Sequence, residues 1–288
     1  MKTTKLIVCI VICALFSSIV QSQIISNSKP ITNEGEYSTP VWSPDGQKIL
    51  FTDNHNDALY VLKIGTKPKI SKVKSAQGIG YLANWTPDSK NIIFRAKPKG
   101  GTFSDVQVKS INLKTRKEKI LKDVHPNSTK INKSNKDLIV YINQETLKLE
   151  AKEGINGTPW IISKEDGQFY HPIVSPDQQS VIVHNGPMIY LYSIYKSQER
   201  KELGVGIASS WLPDSKGVIT FEDQSNDGHN VTSSDLYFVS TISLNKKQLT
   251  STKDRIEMWG DVSPDGKRIA FSDEKTGKIF IADFKLKN

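Results

Sequence analysis

Imidazole is the side chain best suited to acid–base or metal chemistry near neutral pH, and the chain carries five histidines. A metal site built on them needs two or three to converge. His171 and His184 flank a turn sequence and so could face each other across a hairpin, whereas His55 and His229 are distant in sequence. Asp223-Gln-Ser-Asn-Asp-Gly228 offers a second chemistry. Asp223, Ser225 and Asp227 place oxygens at alternate positions before a glycine, as a calcium loop begins. Ser234 then stands where such a loop needs a bidentate Glu, and Asp235 comes one place late. The stretch reads first as a polar loop with turn chemistry, and no metal is assigned to it. Gly204-Val-Gly-Ile-Ala-Ser lacks a following helix, and neither a Gly-x-Ser-x-Gly elbow nor a His-Glu-x-x-His pair is present. No cofactor is expected.

The elements that would hold these residues begin after an export signal. Lys2 and Lys5 precede an uncharged apolar run, Leu6 to Phe16, and polar Ser17 and Ser18 close it. That pattern predicts a signal peptide over residues 1–22, cleaved near Ser22/Gln23. The run is too short to span a bilayer, which takes about 20 apolar residues. Both cysteines, Cys9 and Cys13, fall inside it, so the expected mature domain, residues 23–288, has no thiol for disulfides, metal ligation or nucleophilic catalysis. The formal net charge is +9. The lysines read as scattered solubility charge, with the densest group, Lys114 to Lys119, in a predicted turn. No basic stripe interleaved with aromatics argues for nucleic acid.

A repeat fills the mature chain. Five segments share one pattern: Trp42 to Phe51, Trp85 to Phe94, Val174 to Val183, Trp211 to Thr220 and Val262 to Phe271. Each carries a Pro-Asp turn, at Asp45, Asp88, Asp177, Asp214 and Asp265. The longest gap is about two periods, and a degenerate copy, Lys133 to Tyr141 with Asn135 in the Asp slot, fits inside it. Six units result. Pro presets φ in a type I turn, the Ser and Asp side chains cap backbone N–H groups, and Gly accepts the left-handed residue that follows. Ser89, Gln178 and Ser215 replace that Gly in three copies. Apolar runs on either side make a hairpin. A third and a fourth run follow, such as Ala58 to Leu62 and Lys247 to Thr250. Four short strands at a period near 44 describe one blade of a β-propeller.

The strand entering each turn supports a ring. Pro40, Ala83, Pro172, Ser209 and Gly260 are all small or proline, as suits strands converging on an axis. Trp42, Trp85 and Trp211 are large enough to wedge between blades, a packing role first. The last unit is one strand short, and residues 24–32 resemble a spare outer strand. The fold expected is therefore all-β, a six-bladed propeller of four-stranded antiparallel blades closed by the N-terminal strand, with no open sheet edge.

These repeats resemble the TolB-type, WD-like propeller family, whose pattern runs Trp-Ser-Pro-Asp-Gly, an apolar strand, an Ile-Tyr strand and a Leu-Thr strand. The resemblance covers residues 24–288. Asp53-Asn-His-Asn-Asp57 stands where TolB carries an Arg. It implies binding on the face that carries the second-to-third-strand loops and the entries to the inner strands. On that face the sequence places Tyr37, His55, Tyr81, Lys97, Tyr170, His171, His184, Glu257 and Trp259. The expected protein is a monomeric binding module in the periplasm or outside the cell. Its expected partner is a protein or a cell-envelope polymer. The alternative is a metal-assisted lyase or hydrolase of an acidic saccharide using the histidines of the same face.

Overall fold

The computed structural model describes residues 24–286 except 34, 66–67, 99, 102–104, 123, 125–137 and 197–198. The segment read as a signal peptide and the degenerate turn around Asn135 lie outside the described residues. What is described forms strands and turns in six antiparallel sheets. β1 (Ile25–Pro30) precedes the first blade. Blade 1 holds β2 (Tyr37–Trp42), β3 (Lys48–Asp53), β4 (Ala58–Lys63) and β5 (Lys69–Ser75). In blade 2 are β6 (Asn84–Trp85), β7 (Asn91–Ala96), β8 (Gln107–Asn112) and β9 (Glu118–Ile120). Blade 3 shows three strands among the described residues, β10 (Leu138–Ile142), β11 (Leu149–Glu153) and β12 (Trp160–Ile161).

Blade 4 is β13 (Phe169–Val174), β14 (Ser180–Asn185), β15 (Met188–Ser193) and β16 (Arg200–Val205). Blade 5 is β17 (Ile207–Trp211), β18 (Gly217–Ser225), β19 (Val231–Ser240) and β20 (Lys246–Gln248). Blade 6 takes β21 (Glu257–Val262), β22 (Arg268–Asp273) and β23 (Lys278–Phe284), and β1 completes it as the outer strand. Ile25 pairs with Phe284 and Pro30 with Phe280. Thr32 Oγ1 accepts the Ile279 N–H at 2.9 Å, and Ile24 and Ile25 are buried with Phe284. The chain thus seals its own seam.

The turns behave as their chemistry requires. Ser43 Oγ donates to Asp45, Asp45 Oδ1 accepts the Gln47 N–H at 3.0 Å, and Ser43 Oγ accepts the Lys48 N–H at 2.9 Å. Thr86/Asp88, Ser175/Asp177 and Ser263/Asp265 repeat the set. These donors hold the carboxyls of Asp88 and Asp265 below the usual range, and that of Asp45 too against partial burial. The residue after each aspartate is left-handed, with φ 68° at Gly46 and φ 58°, 60° and 62° at Ser89, Gln178 and Ser215. Two of the replacements gain a bond in return. Ser89 Oγ accepts the Asp45 N–H at 3.0 Å and Ser215 Oγ the Asp177 N–H at 3.1 Å, each from the preceding blade.

The tryptophans wedge blade against blade. Trp85 Nε1 donates to Val41 O at 3.0 Å, and Trp211 Nε1 to Ile173 O at 2.9 Å. At the seam Trp42 lacks an indole partner among the described residues; its backbone N–H donates to Asp261 Oδ2 at 2.7 Å and its ring lies under Arg268.

Candidate binding face

Three registers on the inner strands decide what reaches the channel mouth, counted back from each turn aspartate. Side chains alternate along a strand, so residues eight before the aspartate turn between the blades. Tyr37 is one of them: its ring meets Phe51 at 5.0 Å and Tyr60 at 5.2 Å. Glu257 is another, and it is fully buried. Both were expected at the mouth, and the structure corrects that placement. Residues seven before the aspartate include Tyr81 and Tyr170, which are 52% and 43% exposed.

Six before the aspartate stand Thr39, Leu82, His171 and Trp259, with φ of 48°, 58°, 52° and 55°. Strand pairing slips here in four blades: between Ser38 and Val41, Tyr170 and Ile173, Ala208 and Ser210, and Met258 and Asp261. An extra residue bulged out of the ladder re-aims its side chain. Left-handed backbone at such non-glycine residues costs on the order of 1–3 kcal/mol each and persists only where the surroundings enforce it.

The bulges of blades 4 and 6 bring rings together. Tyr170 stacks on His184 (4.9 Å, 21°), and His184 stacks on His171 (5.6 Å, 9°). His171 meets Trp259 edge-on at 6.4 Å, and Trp259 meets Phe221 at 4.9 Å. Rings from blades 4, 5 and 6 therefore form one continuous cluster. The pairing of His171 with His184 follows the sequence expectation. Phe221 was missed there, and the signal for it was present: it occupies the same slot after Asp214 that His184 occupies after Asp177.

His184 forms the floor. It is fully buried, and Nε2 accepts the Ala208 N–H of blade 5 at 3.0 Å. That bond puts the ring proton on Nδ1, which has no hydrogen-bond partner among the described residues. Burial and the neighbouring His171 push the imidazole down to about 4, although the carbonyls of Tyr170 and His171 oppose the shift. Burial also lowers His171. The His184 ring is neutral at neutral pH.

A second buried polar group sits at the blade 6 entry. Glu257 Oε1 accepts the Thr252 hydroxyl at 2.8 Å and lies 3.4 Å from Arg255 Nε, while Oε2 has no partner among the described residues. Burial raises the carboxyl, and Asp235 and Asp273 add to the shift against Thr252 and Arg255.

The remaining candidates lie further out. His55 and Lys97 are exposed in the second-to-third-strand loops of blades 1 and 2. Tyr81 has a cation partner the sequence reading missed, Arg95, whose guanidinium is 5.1 Å from the ring. The loop of Asp223, Ser225 and Asp227 is a long hairpin: Asp223 pairs with Ser234 and Ser225 with Val231. Asp227 accepts the N–H groups of His229 (2.9 Å) and Asn230 (2.7 Å) and the Ser225 hydroxyl. Those donors, with the Asn230 side-chain amide on Oδ2, hold its carboxyl far below the usual range.

No family model matches the chain, and no curated protein does. Solved structures do match. An oligogalacturonate lyase in complex with manganese superposes with a TM-score of 0.52 at 15% identity, covering 90% of this chain and 93% of that one. The fold is shared. An oligogalacturonate lyase from Vibrio parahaemolyticus gives 0.52 at 13% identity over 89% and 93%. A protein assigned to TolB from Agrobacterium tumefaciens gives 0.54 at 15% identity over 88% and 91%. At such identities the likeness establishes the propeller and its extent, for TolB and lyase alike.

Proposed function

We propose that the protein is an exported propeller that binds a protein or envelope-polymer partner through the loop face at the channel mouth. The observation that carries this reading is the ring cluster of Tyr170, His171 and Trp259, held there by strained, bulged backbone. Backbone strain concentrates where a site needs a fixed geometry, and half-exposed aromatic side chains give large contact area at low entropic cost. The TolB likeness and the expected signal peptide support export to the periplasm or beyond.

The rival reading is a metal-assisted lyase, and the manganese-bound neighbour is its best support. His184 weighs against it as a ligand. Its Nε2 lone pair is engaged by Ala208, and its Nδ1 carries the proton.

Immobilised protein incubated with envelope extract tests the binding reading. Tyr170→Ala, altering an exposed ring, and Trp259→Ala should each release the captured partner. Lys90→Glu with Lys267→Glu, beside the turns of the opposite face, should retain it. Loss in the lysine pair alone would place the partner on the other face.

A further inference from the structure

Positive charge is concentrated in one part of the ring. Residues 58–122 carry fifteen Lys and Arg against three Asp and Glu, while the rest of the chain from Gln23 onward carries 22 against 27. The lysines are therefore not scattered: a cationic sector faces a remainder with a net negative charge.

The fold gathers that charge on the outer wall of blades 1 and 2. The exposed cations Lys63, Lys69 and Lys72 belong to the outer hairpin of blade 1. Arg116, Lys117 and Lys119, also exposed, belong to that of blade 2. The two hairpins are continuous: Arg116 crosses the blade seam and donates to Lys72 O at 3.0 Å and Val73 O at 2.7 Å. Lys63 and Lys69 are directly opposed across β4 and β5. Like charges so placed destabilise a sheet, so this pairing gives the fold nothing.

We propose that this wall is a membrane-docking surface, which adsorbs edge-on to a bilayer rich in anionic lipid. Three features favour a flat, diffuse anion over a shaped one. Lysine predominates over arginine, giving point charges without the forked geometry that selects individual phosphates or carboxylates. The aromatic rings beneath are capped, Tyr60 by Lys72 at 5.6 Å and Phe94 by Lys74 at 6.0 Å, so they offer no platform for stacking bases or sugar rings. The wall is the outward side of a closed ring, a shape that meets a plane. Ile120, 47% exposed, adds an apolar contact at the rim. Each lysine near an anionic leaflet strengthens adsorption by about fivefold. The negative remainder is repelled, which fixes the orientation and leaves the channel mouth free at the side.

Sedimentation of the mature protein with phosphatidylcholine vesicles, with and without phosphatidylglycerol, tests this. Binding should require phosphatidylglycerol and weaken as salt is raised. Lys72→Glu, Lys117→Glu and Lys119→Glu combined should weaken it by more than about a hundredfold. Lys201→Glu with Lys247→Glu, on the walls of blades 4 and 5, should leave it unchanged. Both variants should still melt cooperatively and near the parent, since every altered residue is exposed. Failure to sediment with anionic vesicles would overturn the proposal. So would equal loss in the control pair, or retention on a heparin column with no vesicle binding, which would point to a soluble polyanion.

Discussion

The two faces of the ring are built on different terms. On the turn face four blades repeat one hydrogen-bond set, and each Ser or Thr hydroxyl serves an aspartate and a backbone N–H. On the loop face the equivalent slots differ from blade to blade: Thr39, Leu82, His171, Ala208 and Trp259 occupy one of them. Left-handed backbone there falls on bulky Leu82, His171 and Trp259, and the buried atoms His184 Nδ1 and Glu257 Oε2 have no partner among the described residues. Buried polar groups without partners are rare in native proteins and call for an explanation. One face is specified by a turn that four blades build alike; the other departs from uniformity residue by residue.

The largest effect sets the scale for both faces at once. Deleting Gln23–Thr32 removes β1, exposes β23 as an edge and strips Ile24 and Ile25 from the core. The truncated protein should aggregate and lose its cooperative melt; an unchanged melting curve would show that closure is dispensable.

Acid should come next, and from pH 6.5 downward it should act first on the loop face, before the turn aspartates titrate. The folded protein holds His184 near 4 against 6.5 when unfolded, so the unfolded state binds more protons between those values. Stability should fall as pH drops from 6.5 toward 4, by about 1.4 kcal/mol per unit for this one group. His184→Gln can still accept from Ala208 and should flatten the slope in urea titrations across that window.

Ser263→Ala probes the repetitive face. Ser263 is fully buried, and its hydroxyl accepts the Arg268 N–H at 2.9 Å. Its loss leaves a buried donor unmet and should cost about 2 kcal/mol. Ser43→Ala should cost about the same by urea denaturation, because the two turns are built alike.

The smallest effect should be a gain. The carboxyl of Glu257 is raised by burial, so its contribution to stability is present below the unfolded value of 4.5 and lost as pH rises through the folded one. Glu257→Gln removes that loss. The variant should be the more stable of the two at pH 8, and the advantage should shrink as the pH is lowered toward 4.5 in paired melting curves.

The same contrast explains what could be read from the chain directly. The turn face is local chemistry, with Ser, Pro, Asp and a left-handed residue at fixed offsets, so six blades and their closure followed from the residues. The mouth depends on bulges. One extra residue in β2, β13, β17 and β21 reverses which side chains face the axis, and nothing in Tyr37 or Glu257 announces that they turn inward while His171 and Trp259 turn out. The cationic wall was missed for a different reason. Its excess of lysine over residues 58–122 was countable in the sequence, but that the outer hairpins of two blades join into one surface shows only in the bonds from Arg116 across the seam.

The seam of blade 6 also governs how fast the ring can form. Ile25 pairs with Phe284, so the first described strand has its partner in the last. Nearly the whole chain must be ordered before those hydrogen bonds compensate for bringing its ends together. Such long-range pairing makes folding slow, and until the seam shuts the growing propeller presents two unpaired edges. Once it has shut, no blade can leave the ring without first breaking that contact. The strand that delays folding is therefore also the latch that delays unfolding.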